Sequence, residues 1–448
     1  MEIQFLGATK TVTGSKYLIR ADKNILIDCG LFQGAKEWRL RNWEKFPVAP
    51  SSIDAVVLTH AHLDHTGYLP LLVKNGFTGK IYGTSTTLEI AKILLLDSGR
   101  LQEEEAARAN KLGYSKHRPA KPLYTQEDAA ITFGRFKAID FNQDFNIGNS
   151  VLCFRRAGHI FGAAMLLLKN AGLSIFFSGD LGRQELPLLL PPEERIAADY
   201  MVIEATYGDR LHENSNPEDV LENVISKVVA RGGSIIIPAF AVGRAQSLVY
   251  YVHSLKKQGR IPDVPLFLDS PMAQQVTDLV LNNMEGGLYK KTYKEMISGV
   301  TYVSKISQSK KLDSYSFPRI IISASGMAAG GRVLHHISSL GRDKKNLLLF
   351  AGYQVLGTRG EKLLSGQREI KIFGEMVQVE AEIAALSNMS AHVDYAEMLA
   401  WLQTSGLPPK KIFITHGEVQ AITSLQNKIE QTLGYNAIAP EYLQIEEL

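Results

Sequence analysis

The chain has 448 residues, 45% hydrophobic and 21% charged, enough apolar material for two domains with cores of their own. A net charge of +3 is too small to establish a polyanion partner, and two cysteines cannot build a disulfide framework; they suit a reducing, cytoplasmic setting. No apolar run approaches the ~20 residues that a membrane helix needs, so no membrane association is expected.

The opening reads as short strands between tight turns. EIQFLG (2–7), KYLIRA (16–21) and NILIDCG (24–30) are β-rich runs bounded by Gly, Asp and Asn. DAVVLTH (54–60) is an almost continuous apolar run, as a strand buried on both faces should be, and it ends on His60. YLPLLVKNG (68–76) is predicted to be a helix that stops at Asn75-Gly76. The polar stretch from Arg100 to Ala130 reads as exposed helix and loop. Strands return at SVLCFRRAGHI (150–160), AMLLLKN (164–170), LSIFFSGD (173–180) and YMVIEATYG (200–208), with a Pro/Leu-rich loop, LPLLLPPEER (186–195), before the last.

After Gly208 the rhythm changes. PEDVLENVISKVVARGG (217–233) has helical spacing and a Gly-Gly stop, followed by the buried strand SIIIPAF (234–240) and the helix GRAQSLVYYVHSLKKQG (243–259). VPLFLDS (264–270), RIIISASG (319–326), NLLLFAGY (346–353) and EIKIFGEMVQV (369–379) then alternate with helical or loop segments. This βαβ rhythm predicts a mostly parallel sheet. The tail repeats it with helix DYAEMLAWLQTSG (394–406), strand KKIFITHG (410–417) and the amphipathic ITSLQNKIEQTLG (422–434).

Three of the chain's 11 histidines fall within six consecutive residues of LTHAHLDHTG (58–67): His60, His62 and His65, with Asp64 among them. At a strand end followed by a turn, alternate side chains converge. Three imidazoles and a carboxylate suit zinc, with iron or manganese as alternatives. One turn cannot complete two metal shells, so further donors are expected at other strand ends. His159 in RRAGHIFGAAM, Asp180 in SIFFSGDLG and His416 in IFITHGE stand in such places. Singly, each reads more readily as structural. Together, at the C-terminal strand ends where α/β sheets gather binding groups, they read as one site.

THAHLDHTG, AGHIFGAAM, FFSGDLG and Asp28 in ILIDCGLFQG resemble the metal motifs of the metallo-β-lactamase fold. Glu204 in VIEATYGDR, His392 in NMSAHVDY and His416 in ITHGE resemble three further motifs of the β-CASP nucleases, as do AFAVGRAQ, LDSPMA, SASGMAAGGR and GYQVLGTRG. The chain resembles in particular the nuclease subunit of the cleavage and polyadenylation specificity factor and its prokaryotic relatives. The resemblance implies an α/β fold: an αββα sandwich built from residues 1–208 and 385–448, with an inserted, mostly parallel α/β domain over 209–384. It implies one zinc on His60, His62 and His159, a second on Asp64, His65 and His416, and Asp180 bridging. Asp28 would orient a ligand or the nucleophile, and manganese could substitute for zinc.

The implied activity is hydrolysis of single-stranded RNA at a dinuclear site between the domains, leaving 5′-phosphate and 3′-hydroxyl ends. Internal and 5′-terminal cutting both remain open. His392 is the candidate proton donor to the leaving oxygen and Glu204 its partner, alongside Asp28 and Asp64 in the catalytic set. His416 at the third motif favours RNA over DNA. Ser325, Gly326, Gly330, Gly331 and Arg332 are candidate phosphate contacts, although small residues serve close helix–sheet packing equally well and a surface arginine is commonly just solvated. A lactamase- or thioesterase-like hydrolase of small molecules is the rival enzyme, but it gives the insertion no task. A non-catalytic RNA-binding subunit would have lost ligands, and none is lost. The apolar segment DLGRQELPLLLPPEE (180–194) is a candidate homodimer contact, although such loops commonly pack on their own domain.

Overall fold

The structure, a computed structural model, describes residues 1–113, 115, 117–283, 288–405 and 407–448. Positions 114 and 116 of the polar stretch, and Gly406 at the end of the predicted 394–406 helix, lie outside the described residues. The chain forms two compact units, 1–211 with 392–448, and 212–391.

The first unit contains two seven-stranded sheets. One runs in the order Ile445–Glu447, Glu2–Phe5, Tyr17–Arg20, Asn24–Ile27, Ala55–Val57, Lys80–Gly83, Phe136–Ala138. The other runs Ala437–Ile438, Lys411–Thr415, Tyr200–Glu204, Leu173–Phe177, Ala164–Asn170, Ser150–Arg156, Asp144–Ile147. Side-chain alternation explains how they stack. Ile25 and Ile27 join Phe154, Leu166, Phe177 and Phe413 in the core between the sheets. Leu26, one step out of phase, joins Leu58, Leu69, Leu72 and Leu88 under the outer helices. On the other sheet, Phe176 packs against Trp401 of helix Tyr395–Leu402. The layers are therefore helix, sheet, sheet, helix.

Sheet direction places the site. Ser150–Arg156 and Leu173–Phe177 both pair antiparallel with Ala164–Asn170, so they point the same way. Tyr200–Glu204 and Lys411–Thr415 continue parallel to Leu173–Phe177. Four C-terminal strand ends thus share one edge. Asn24–Ile27 and Ala55–Val57, themselves parallel, bring the segments after them from the facing sheet. The buried Tyr17 hydroxyl crosses between sheets to Thr415 Oγ1 at 2.9 Å, one residue before His416.

Two segments depart from expectation. The polar stretch belongs to a 28-residue helix, Ser85–Leu112, that begins at the Thr84 cap, before the charged run starts. Its first half is Thr- and Leu-rich and buries Thr87, Leu88 and Ile90, so the charge pattern marks only the exposed second half. EIKIFGEMVQV is not a strand of the parallel sheet. It is an antiparallel hairpin, Glu369–Ile372 with Glu375–Gln378, closed by Phe373 and Gly374 at positive φ, the geometry of a two-residue hairpin turn.

The second unit has a six-stranded parallel sheet: Thr301–Tyr302, Leu266–Asp269, Ile320–Ser323, Ile235–Pro238, Leu347–Phe350, Glu382–Ala385. Its strands are almost wholly apolar, as sheets covered on both faces require. At one strand end His336 lies fully buried between two carboxylates, Asp269 Oδ2 at 2.8 Å and Asp313 Oδ1 at 2.6 Å. Burial opposes its charge, but the hydrogen bonds and charges of Asp269 and Asp313 prevail and push its pKa up to about 9. A raised histidine pKa stabilises the fold fully below the unfolded value near 6.5 and loses that contribution as pH rises through the folded value. The unfolding free energy from urea titrations should therefore fall between pH 6.5 and 9.5, by on the order of 2–3 kcal/mol. In His336→Gln that slope should flatten; an unchanged slope would show that the imidazolium is not the group responsible.

Candidate metal centre

The cluster at 60–65 is fixed by its backbone before its side chains. Cys29 N donates to His65 O at 2.7 Å, Ser15 N to Asp64 O at 2.8 Å and Leu31 N to Leu63 O at 2.8 Å. The turn after Asp28 runs so close beneath it that a Cβ on Gly30 would stand 1.5 Å from Asp64 O, so only glycine fits. Asp28 itself sits at φ 57 and His416 at φ 47, left-handed conformations that cost non-glycine residues about 1–2 kcal/mol each.

Two donor groups result. In the first, His62 Nδ1 lies 3.1 Å from His60 Nε2 and 3.4 Å from His159 Nε2. Asp180 Oδ2 lies 3.3 Å from His60 Nε2 and 3.6 Å from His159 Nε2. In the second, His416 Nε2 lies 3.2 Å from His65 Nε2 and 3.5 Å from Asp64 Oδ2, while Asp180 Oδ1 is 3.2 Å from His65 Nε2. Asp180 thus completes the first group through Oδ2, while its Oδ1 reaches the second, three-donor group at His65. Four nitrogen or oxygen donors bound tetrahedrally at about 2.0–2.1 Å stand roughly 3.3–3.4 Å apart, so these spacings fit a zinc-sized ion. Among the described residues, the buried Asp180 Oδ1 has no hydrogen-bond partner, as a ligand oxygen should.

Protonation agrees with a ligand role for five of the donors, whereas at His65 burial is outweighed by Asp180 and Asp28, which push its pKa well up. Burial, reinforced by His60, pushes His62 down to about 3. It also lowers His60, with His65 adding to the effect, and His159, with His392 adding. These three imidazoles offer lone pairs rather than protons. Burial works against the charge of Asp180, but His416, His65 and His60 hold it well below the usual carboxylate range. Asp64 is lowered in the same way: burial opposes, and His416 and His65 outweigh it.

Around the donors lies a ring of orienting groups. Asp28 Oδ2 accepts from His65 Nδ1 at 2.7 Å and from Thr59 Oγ1 at 2.8 Å; its Oδ1 accepts from Thr59 N at 2.8 Å. Asp28 therefore turns His65 Nε2 toward the cluster and is not itself one of its donors. Thr206 Oγ1 donates to Glu204 Oε2 and stands 3.2 Å from His416 Nδ1. Glu204 also accepts from Leu181 N at 2.6 Å and from His392 Nδ1 at 2.9 Å. Sequence reading missed Thr59 and Thr206. The only signal was position: one immediately precedes His60, and the other follows Glu204 by two residues.

His392 is set beside the donors by its backbone, in a bridge with Gly182 and through Val393 N donating to Leu181 O at 3.0 Å. Its side chain is 19% exposed, against 1% for His60 and 2% for His65 and His159. Burial opposes its charge, but Glu204 prevails and pushes its pKa up to about 9.

The loop expected to contact phosphate lies in the second unit, and several of its groups are already engaged. Ser325 Oγ accepts from Ala329 N at 3.0 Å and Gly330 N at 3.3 Å. Gly326 packs on Phe240, where a Cβ would meet the backbone N at 2.9 Å. The Arg332 guanidinium donates to Asp269 Oδ1 at 2.6 Å, Val303 O at 2.8 Å and Ser304 O at 2.5 Å. Gly330 borders open space and Gly331 is exposed.

An αββα sandwich with paired imidazole–carboxylate pockets at its strand ends defines a metallo-hydrolase fold. Family models agree: residues 11–211 match the metallo-β-lactamase superfamily, 245–363 the β-CASP domain, and 376–440 the Zn-dependent metallo-hydrolase RNA specificity domain. The chain is 34% identical to ribonuclease TTHA0252 of Thermus thermophilus, covering 95% of each protein. It is 29% identical to the transcription termination factor FttA of Methanosarcina mazei, over 97% of this chain and 69% of that one. It is also 29% identical to the cleavage and polyadenylation specificity factor subunit 3-I of Arabidopsis thaliana, over 95% of this chain and 60% of that one. The chain belongs to the β-CASP family of metallo-hydrolases.

Removing an orienting partner typically weakens metal affinity about 10–100-fold. Asp28→Ala should do so for one ion per chain, measured by chelator competition, while the other ion is retained. Equal loss of both ions, or of neither, would contradict the division into two pockets.

Proposed function

We propose that this protein hydrolyses phosphodiester bonds of single-stranded RNA, leaving 5′-phosphate and 3′-hydroxyl ends, in RNA processing or decay. The observation that carries the reading is the His392–Glu204 pair, an imidazole held at 2.9 Å by a buried carboxylate and standing beside Asp180. The family supplies the class of chemistry, and the names of the relatives supply RNA as the polymer.

His60, His62 and His159 would hold one cation, Asp64, His65 and His416 a second, and Asp180 would contact both. Zinc suits these donors, and manganese is a plausible replacement. Two bound divalent cations supply Lewis acidity toward a phosphate oxygen and make a hydroxide nucleophile available near neutral pH. The chain's own residues do the rest. Glu204 takes up Nδ1 of His392, which leaves Nε2 to give a proton to the departing 3′-oxygen. Thr206 ties Glu204 to His416, so proton donor and metal pocket share one hydrogen-bond chain.

The accompanying domain reading is an insertion over about 209–384, supported by residues 1–211 and 392–448 forming one compact unit. Within the insertion, RNA phosphate contact would fall on Gly330 and Gly331, with Ser325, Gly326 and Arg332 shaping the loop. Among the described residues, no helix is long and apolar enough to cross a membrane. Both cysteines are free and buried, which supports a reducing, cytoplasmic location. For a homodimer through the apolar loop, Leu190 is 51% exposed and open to a partner, whereas Leu188 packs inward.

Purified protein should cut labelled single-stranded RNA. His392→Ala should lose about 10²–10⁴-fold in kcat with metal content intact, and Asp180→Ala should lose bound metal together with activity. If the metal-loaded protein spares RNA but hydrolyses a lactam or thioester, the small-molecule reading replaces this one. If it binds RNA and turns over neither, it is a binding subunit.

A further inference from the structure

We infer that residues 32–45, with Tyr442, form a stacking platform for single-stranded RNA on the metal-bearing unit; this rests on the RNA reading above. The segment begins four residues after Asp28, and its base is clamped. Buried Asn42 accepts from Phe32 N at 2.9 Å and donates to Phe32 O at 2.8 Å, while Gln33 N donates to Thr13 Oγ1 at 3.2 Å.

The helix Lys36–Arg41 carried on this clamp has no buried residue. Large apolar groups nevertheless crowd it. Trp38 lies nearly parallel to Phe32, at 16° with centroids 6.3 Å apart. The Arg41 guanidinium carbon stands 4.5 Å from the Trp38 centroid and 4.2 Å from that of Tyr442. Trp43 is 59% exposed and Leu40 52%.

An exposed cluster of this kind implies a partner, and its charge selects which. Between residues 33 and 45 there are four cations, Lys36, Arg39, Arg41 and Lys45, against Glu37 and Glu44. A polyanion carrying flat apolar bases satisfies both features at once: bases stack on Trp43 and on the cation–aromatic sandwich, and phosphates meet the flanking cations. Such contacts are indifferent to sequence, because every base has a π face. The platform would hold RNA beyond the scissile phosphate.

The test compares zinc-loaded wild type, Trp43→Ala, Trp43→Phe and Trp38→Ala on a labelled unstructured 20-nucleotide RNA and on bis(p-nitrophenyl) phosphate, a phosphodiester with no bases. Trp43→Ala should raise KM for RNA roughly tenfold with little change in kcat, and Trp43→Phe should recover most of it. Turnover of the small diester should follow wild type. Unchanged KM in both alanine variants, or equal losses on both substrates, would overturn the platform while leaving the nuclease reading intact. A wild-type dimer in light scattering that Trp43→Glu splits without altering KM would also overturn it, in favour of a second copy of the chain. A wild type that turns over only the small diester would remove the RNA reading itself.

Discussion

The arrangement depends on one costly group. The Asp180 carboxylate is 2% exposed, and its two oxygens face different sets of imidazoles. Taking a carboxylate out of water costs several kcal/mol unless opposite charge or hydrogen bonds replace its hydration. Here Oδ1 accepts no hydrogen bond among the described residues. Three of the surrounding histidines are pushed toward neutrality by the same burial. At His65 burial is outweighed by Asp180 and Asp28, which draw it well above its ordinary value, so it supplies an opposing charge. The donor spacings suit cations that would supply the remainder. A cation bound there would offset that cost, which would couple metal affinity to the fold around it.

The sandwich makes that crowding tolerable. Two sheets with apolar inner faces supply rigidity, and parallel or doubly reversed strand directions deliver four C-terminal ends to one edge. The facing sheet contributes the Asp28 turn and the 60–65 cluster. Backbone hydrogen bonds between those two segments leave room for no side chain at Gly30. Left-handed Asp28 and His416 show where the chain accepts local strain to aim a side chain.

Much of this was legible in the sequence because chemistry and pattern coincided. His60, His62, Asp64 and His65 stand so close in the chain that a shared site was the economical reading, and the structure brings their side chains into two donor groups. His159, Asp180 and His416 were readable from their strand-end positions. What stayed hidden were groups whose role depends on contact. Thr59 and Thr206 look like any strand-end threonine until their partners, Asp28 and His416, come in from distant segments. The commitment of Arg332 to Asp269 was equally invisible, because an arginine after a glycine-rich turn suits phosphate as well as it suits a buried carboxylate 63 positions away. The hairpin at 369–378 misled because alternating apolar residues fit an edge strand and a detached hairpin alike.

The central claim is that Asp180 stands between two cations. Anomalous diffraction at the zinc edge, from crystals of the metal-loaded protein, tests it most directly. The account predicts two peaks about 3.5–4 Å apart, one among His60, His62 and His159 and the other among Asp64, His65 and His416, with Asp180 touching both. A single peak, or ions bound away from these residues, would contradict it.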